Sequence, residues 1–398
     1  LDLGEQTLTG VFPKHKDQQI TCGPLQLVKC TGSEQCCGLL QLAHSYDLGE
    51  MYGENYGYRS GLNPSMVKHL HAKVARILNM VGFSGNPIVL DIGSNDGTTL
   101  SAYPSETCIR VGIDPTSAKF YQYYPEDARV ITDFFSANRF YEAFPGQKAR
   151  VVTSFSMFYD LESPMDFVRE VSDILEEQGI WVFEQSYMPL MLERNSYDTV
   201  CHEHLEYYGL RQIDWMLSRN GLKIVDVEFN DVNGGSFSVT AAKVDSDYAE
   251  SASAKEILAR EEAQGLDELA PYFAFAERAQ VSRDELRAFV TQARSEGHQV
   301  AFLGASTKGN VLLQYCGFTE KDVLAVGEVN SEKFGVYTPG TLLPIVNEQD
   351  LLADEPDYLV VLPWHFRDFF VEKYNLKNAR LVFPLPRLEI FDPENKIG

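Results

Sequence analysis

The chain has 398 residues, 44% of them hydrophobic, enough for two or three packed domains. Its 34 Lys+Arg against 57 Asp+Glu leave a net charge of −23, which argues against nucleic acid as a general partner, since phosphate binding needs a basic footprint. No apolar run of about eighteen residues marks a membrane span and no secretory leader is visible. Seven Cys, an odd count, suit a reducing cytoplasm better than a disulfide framework.

Residues 1 to about 60 are rich in Gly, Cys, Gln and turn formers and lack long apolar periodicity. Such a segment can hardly build a core alone. With Cys22, Cys30, Cys36 and Cys37 it invites a metal staple. The chain opens at Leu1 without a Met, so an upstream stretch is expected. From Ser65 to Met80 the spacing of Met66, Val67, Leu70, Val74, Ile77 and Leu78 predicts an amphipathic helix.

The next segment, Val89-Leu90-Asp91-Ile92-Gly93-Ser94-Asn95-Asp96-Gly97, is the most informative. Ile88 to Leu90 read as a buried parallel strand, closed by an acidic residue and a glycine-rich turn, with a helix start at Thr98. The turn is not the dinucleotide fingerprint G-x-G-x-x-G and lacks the Lys and Ser/Thr of a P-loop. An acidic turn before a helix suits a ligand with hydroxyls and an amino-acid moiety, such as S-adenosylmethionine (SAM), better than a pyrophosphate. An ordinary strand-to-helix loop is the alternative.

Strands and helices then alternate. Strands are expected at Arg110–Ile113, Val130–Ile131, Arg150–Phe155 and Gly179–Glu184, and helices at Met165–Leu175 and Ile213–Asn220. Leu222–Phe229 and Ser236–Lys243 read as a strand pair around Asn233-Gly234-Gly235. This alternation predicts a doubly wound α/β sheet. Ser251 to Arg294 is charged, Ala-rich and helical, forming two helices. After Gly297 a smaller Rossmann-like α/β unit begins, with strands at Gln299–Leu303, Leu324–Glu328, Tyr358–Leu362 and Arg380–Phe383. A Gly304 to Gly309 turn opens a helix from Asn310.

Asp114, about twenty residues after the glycines, ends the second strand where a carboxylate can take two ribose hydroxyls. Asp133 and Phe134 after the third strand can bracket an adenine, or merely cap a helix and fill core. Tyr197 to Tyr208 is dense in titratable groups, including His202, Glu203 and His204. A metal pair, a general base and buried structural histidines all remain open there. Lys308 in the Gly304 turn suits a phosphate or sits in a plain scaffold turn. Lys333, Tyr337 and His365 are further candidates for the same cleft.

The chain resembles the SAM-dependent sugar C-methyltransferases, the group that includes the C-3'-methyltransferase of tetronitrose biosynthesis. The resemblance runs from Leu1-Asp2-Leu3-Gly4 through Tyr56-Gly57-Tyr58-Arg59-Ser60-Gly61, the Gly93 to Gly97 turn and Thr132-Asp133-Phe134-Phe135. It continues through Glu203-His204, Gly234-Gly235, Gly304 to Lys308 and Tyr337-Thr338-Pro339-Gly340.

The resemblance implies three domains: an N-terminal zinc-binding domain (1–62), a SAM-binding Rossmann-like domain with a helical extension (63–294), and a C-terminal Rossmann-like α/β domain that helps hold a nucleotide-sugar (295–398). It implies SAM contacts among Asp91, Gly93, Asn95, Asp96, Gly97, Asp114, Asp133 and Phe134. Family substrates are typically dTDP-linked 4-keto deoxysugars. The implied reaction removes the proton next to the ketone, and the enolate attacks the methyl of SAM. By similarity His204 is the base, Glu203 its neighbour, and Tyr58 a substrate or SAM contact. Tyr58, Tyr197 or Asn233 could donate a hydrogen bond to the ketone oxygen.

The chain departs from the tetronitrose enzyme in the sugar pocket. Tyr159 stands in place of a second active-site His, and Cys201 in place of a Tyr. A structural zinc would use Cys30 and Cys37, with a partner Cys pair expected before Leu1. The expected enzyme is cytoplasmic, a monomer or small homo-oligomer, without membrane or nucleic-acid partners. The alternatives are an O- or N-methyltransferase and a non-catalytic nucleotide-sugar-binding homologue.

Overall fold

The computed structural model of the chain describes residues 1–398 apart from 32–35, 53–57, 375–378 and 393–398. Its frame is a seven-stranded sheet. In spatial order the strands are Leu222–Asn230, Ser236–Lys243, Leu175–Ser186, Ala149–Phe155, Ile88–Ile92, Ile109–Ile113 and Arg129–Ile131. Ser236–Lys243 is antiparallel to both of its neighbours, and the other pairs are parallel. All five residues of Ile88–Ile92 are buried because helices cover both faces. Val89 joins the core of Val74 and Ile77 from helix Pro64–Met80. Leu90 joins that of Val168 and Val171 from helix Pro164–Ile174.

The path explains where a ligand goes. From Ile88–Ile92 the chain steps outward to Ile109–Ile113 and Arg129–Ile131, then returns to the other side as Ala149–Phe155. The reversal leaves a crevice beyond the carboxyl end of Ile88–Ile92, the place where open α/β sheets bind ligands.

The predicted elements fall close to their places. The hairpin strands are Leu222–Asn230 and Ser236–Lys243, and the charged stretch forms the helices Ala252–Ala263 and Ala270–Ser295. The strand expected at Gly179–Glu184 is longer, Leu175–Ser186. The helix expected from Asn310 starts at Thr307, because Ser306 accepts a hydrogen bond from Gly309 N and caps it. The C-terminal unit is a sheet in the order Ile345–Asn347, Val326–Glu328, Val300–Leu303, Tyr358–Val361, Arg380–Phe383 and Glu389–Phe391, with the last strand antiparallel. No helix among the described residues is long and apolar enough to cross a membrane.

The N-terminal residues are where the reading needs correction. They form strands Asp2–Thr7, Cys22–Lys29 and Leu40–Leu42, and Glu206–Tyr207 adds a fourth strand from far along the chain. Leu3, Leu25, Leu27, Leu40 and Leu42 belong to one continuous core with Val200, Leu205 and the C-terminal sheet. The segment therefore borrows a core rather than needing a metal to supply one. Among the described residues no three His, Cys, Asp or Glu side chains converge to hold a metal ion. Cys30 and Cys37 are half-buried against the apolar core beneath the main sheet. The Lys29 ammonium lies close enough for both thiols to act on its charge, and it donates to Gly38 O at 2.8 Å. With no further His, Cys, Asp or Glu converging on them among the described residues, the Cys30/Cys37 zinc site is not supported.

Candidate active site

The crevice holds a cavity of about 290 Å³. Asp91, Gly93, Asn95, Asp114 and Phe134 line it as expected, joined by Tyr58 and Ser60. Thr153 Oγ1 donates to Asp91 at 2.6 Å, and burial pushes the Asp91 carboxyl up to about 7. Gly93 and Gly97 have φ of 71° and 76°, the left-handed region that a β-carbon disfavours. Asp114 is buried and held by two backbone N–H groups and one hydroxyl. Its Oδ2 accepts from Asn95 N at 2.8 Å, and its Oδ1 accepts from Thr116 N and Oγ1, both at 2.6 Å. The wall thus presents two carboxylates and a row of small residues, a surface for hydroxyls and a cationic amino-acid group.

Other predicted donor-site residues do different work. Asp96 does not line the cavity. Its Oδ2 accepts from Gly61 N at 3.0 Å and faces Arg59 Nε at 3.4 Å, while its Oδ1 accepts from Thr98 N at 3.3 Å and Thr98 Oγ1 at 2.5 Å. Asn95 accepts from Ser60 N and donates to Tyr58 O, both at 3.0 Å. Together they clamp the Tyr58–Gly61 segment across the mouth. Asp133 is also absent from the wall: its carboxylate pairs with Arg139 Nε at 2.8 Å and accepts from Phe134 N. Ser136, not Asp133, caps the following helix. Phe134 is half-exposed on the rim, where Phe135, Phe155 and Met157 add apolar lining that the sequence reading did not single out.

The titratable cluster lies beyond this cavity. Met157 and Asp160 line the cavity, and the Tyr159 ring between them packs against the His204 ring at a tilt of 59°, with ring centres 4.3 Å apart. Tyr159 O also accepts from Leu205 N at 2.8 Å, locking the 201–205 turn to the cavity wall. The two histidines separate cleanly. His202 is fully buried, edge-on to Tyr46 at 4.7 Å, with Nδ1 accepting from Thr9 N at 3.4 Å. It is a packing residue under the N-terminal sheet. His204 Nδ1 lies 2.9 Å from Thr199 O. A carbonyl can only accept, so Nδ1 carries the hydrogen and Nε2 keeps its lone pair. Burial, then the charge of Lys308, pulls His204 down to about 4, so it is neutral at pH 7.

Glu203 is held from the N-terminal segment, across more than 190 residues of chain. Thr9 Oγ1 donates to Glu203 Oε2 at 3.3 Å. A β-carbon at Gly10 would collide with Glu203 Oε1 and come 3.5 Å from Thr307 Oγ1. Asn310 Nδ2 donates to Thr9 O at 2.8 Å, and Gln314 exchanges two hydrogen bonds with Thr7, stitching this strap to helix Thr307–Cys316. Burial raises the Glu203 carboxyl above its ordinary value. Thr9 and Gly10 were missed by sequence reading because nothing local marks them.

The acceptor-side candidates divide. Lys308 Nζ donates to Asn233 O at 2.7 Å, and its charge reaches His204 and His365. Cys201 is fully buried beneath this group, within electrostatic reach of Glu203, Asp160 and Lys308. Tyr197 is instead core, fully buried and edge-on to Tyr315 at 5.6 Å, so it is not a ketone contact. Lys333 and Tyr337 meet the N-terminal strap: Lys333 Nζ donates to Ala305 O at 2.7 Å above Phe12, and Tyr337 lies under Lys16. The Gly304 turn does not form an open phosphate cradle. Glu328 Oε2 accepts from Ala305 N at 2.9 Å, and Ser306 takes Gly309 N.

Comparison with known proteins bears on the class of enzyme. Residues 66–227 match the model of a methyltransferase domain, and residues 231–386 match that of the C-methyltransferase C-terminal domain. The C-methyltransferase NovU of Streptomyces niveus is 29% identical over 381 residues, 95% of this chain and 90% of that protein. Solved structures overlap less. A SAM-dependent methyltransferase from Clostridium acetobutylicum is 14% identical and covers 44% of this chain and 92% of its own, with a TM-score of 0.34. Magnesium protoporphyrin IX methyltransferase from Synechocystis, with bound SAM, is 13% identical and covers 45% of this chain and 78% of its own, with a TM-score of 0.33. The two family models and the near full-length likeness to NovU bear out the resemblance read from the sequence: the chain is a SAM-dependent methyltransferase, similar over most of its length to a C-methyltransferase.

Proposed function

We propose that the chain methylates carbon next to the ketone of a nucleotide-linked 4-keto-deoxysugar, dTDP-linked, with His204 as the base. The observation that supports this most is the His204 hydrogen bond to Thr199 O at 2.9 Å. It leaves Nε2 as the acceptor, one aromatic ring away from the donor cavity. SAM, when bound along Asp91, Gly93 and Asp114, supplies an electrophilic methyl group. His204 Nε2 takes the proton from the carbon, the C–H electron pair moves into a carbon–carbon double bond, and the ketone oxygen takes up the charge. The carbon then bonds to the methyl as the carbon–sulfur pair returns to sulfur, and His204 keeps the proton. A neutral imidazole is the correct starting state for this work.

Tyr58, over the mouth of the cavity, and Tyr159, against His204, border the path between donor and acceptor. The C-terminal unit contributes Lys308 and His365 and holds the nucleotide-sugar. On its odd count of seven Cys the enzyme works in the cytoplasm.

The test is hydrogen exchange with the methyl group absent. Enzyme with S-adenosylhomocysteine (SAH) and a dTDP-linked 4-keto-6-deoxyhexose in deuterium oxide is expected to incorporate deuterium next to the ketone well above the buffer rate. Methyl transfer to oxygen or nitrogen, or turnover with no such exchange, overturns the reading.

A further inference from the structure

We propose that Lys308 is the electrophile of the reaction, its ammonium meeting the ketone oxygen as that oxygen gains negative charge. The inference rests on the carbon-acid reading above, which requires such a group. A proton next to a carbonyl is too weakly acidic for an imidazole unless the developing oxyanion is stabilised.

The placement comes first. Lys308 lies in the first turn of helix Thr307–Cys316, and Thr307 in the same turn faces the Gly10 and Glu203 contact. Its side chain crosses to Asn233 O at 2.7 Å. Asn233 sits at φ 56° in the 232–234 turn, and a β-carbon on the adjoining Gly234 would lie 3.7 Å from His365 Cβ. Trp364, next in the chain, donates from Nε1 to Asp198 Oδ2 at 2.9 Å, while Thr199 O holds His204. The ammonium thereby lies among Asn233, Asp198, Cys201, His204 and His365, groups brought in by three separate segments.

Its surroundings then show what it lacks. Burial lowers the Lys308 ammonium from its ordinary value, while Asp198 and Cys201 work to raise it. Asp198 makes no ion pair with it within 4.0 Å: its Oδ2 is taken by Trp364, and burial raises that carboxyl. The hydrogen-bond acceptor of Lys308 among the described residues is a neutral carbonyl, Asn233 O. An ammonium has three N–H donors, so two can be directed at a bound oxygen. A buried cation whose hydrogen-bond acceptor is a neutral carbonyl, with Asp198 beyond ion-pair distance, is under-compensated, and a neutral ketone relieves this less than an enolate oxygen does. The gain is larger in the transition state than in the ground state, which is what raises the rate. Lys308 is also turned away from its own helix turn, where Glu328 and Ser306 already satisfy the Ala305 and Gly309 N–H groups. It is therefore poorly placed as a phosphate anchor.

A lysine that only tethers the 232–234 turn would share this geometry, so the test separates tether from charge. Lys308→Gln keeps a donor for Asn233 O and loses the charge, whereas Lys308→Arg keeps the charge. Both are compared with wild type by SAH binding and by deuterium exchange into a dTDP-linked 4-keto-6-deoxyhexose across pH. The wild-type exchange rate is expected to fall on acidification only as His204 protonates near pH 4. Lys308→Gln is expected to bind SAH normally, to exchange roughly 10²–10³-fold more slowly, and to lose activity at a higher pH, because the cation no longer depresses His204. Lys308→Arg is expected to keep the wild-type acid limb and to exchange faster than Lys308→Gln. Gln exchanging at the wild-type rate with an unmoved acid limb overturns the role of Lys308 alone. Should Gln fail to bind SAH, an Arg variant whose acid limb moves upward overturns it equally. A wild-type enzyme without exchange sinks the carbon-acid reading and this inference together.

Discussion

The donor cavity and the acceptor cluster are built in opposite ways. The polar wall of the cavity comes from one short stretch of chain: Asp91 lies near the end of strand Ile88–Ile92, Gly93 and Asn95 follow it, and Asp114 follows the next strand. The acceptor cluster draws on Thr9 and Gly10, the 197–204 segment, Asn233, Lys308 and His365. A methyl donor is common to many reactions, so a local motif can bind it. On the proposed reaction the acceptor is held between units, so residues remote in sequence would decide it.

If the two halves are separable, variants in each should fail differently. The largest effect is expected from His204→Asn, which keeps a donor toward Thr199 O and removes the Nε2 base. Exchange next to the ketone should fall roughly 10²–10⁴-fold while SAH affinity is unchanged, as measured by calorimetry. Full turnover in that variant would show that another group takes the proton. Asp114→Asn should give the reverse pattern. The amide nitrogen that replaces one carboxylate oxygen cannot accept, so either the Asn95 or the Thr116 hydrogen bonds are lost, and SAH binding should weaken by about 1–3 kcal/mol. Exchange at saturating SAH should stay near wild type, and a variant that loses exchange there would erase the separation. The smallest effect is expected from Gly10→Ala, whose β-carbon must displace the Glu203 carboxylate. Turnover should drop roughly tenfold, within the 10²-fold that a 1 Å misplacement can cost, with SAH affinity unmoved. An unchanged kcat would mean that Glu203 needs no positioning from the N-terminal strap.

The corrections share one physical cause. Asp96 and Asp133 sit in register with ligand-binding positions, yet their carboxylates turn to Gly61 and Arg139, partners absent from any local pattern. Tyr197 stands in the same acidic, aromatic run as His204 but points into the core against Tyr315. The N-terminal residues looked too poor to pack because their core is completed by Val200, Leu205 and the C-terminal sheet. Local periodicity reports which side chains are apolar, and it cannot report who covers them.

What the sequence determined by itself is the doubly wound sheet, the strand–turn–strand pair at its edge, the second α/β unit and the Gly93 to Gly97 turn. These follow from periodicity, turn residues and short-range hydrogen bonds, all of which act over a few residues. The tertiary structure alone decided that His202 packs while His204 keeps a usable lone pair, that Glu203 is gripped by Thr9, and that Lys308 faces the histidines instead of a phosphate. Each of those outcomes depends on burial and on partners from distant segments, which exist only once the sheets have packed.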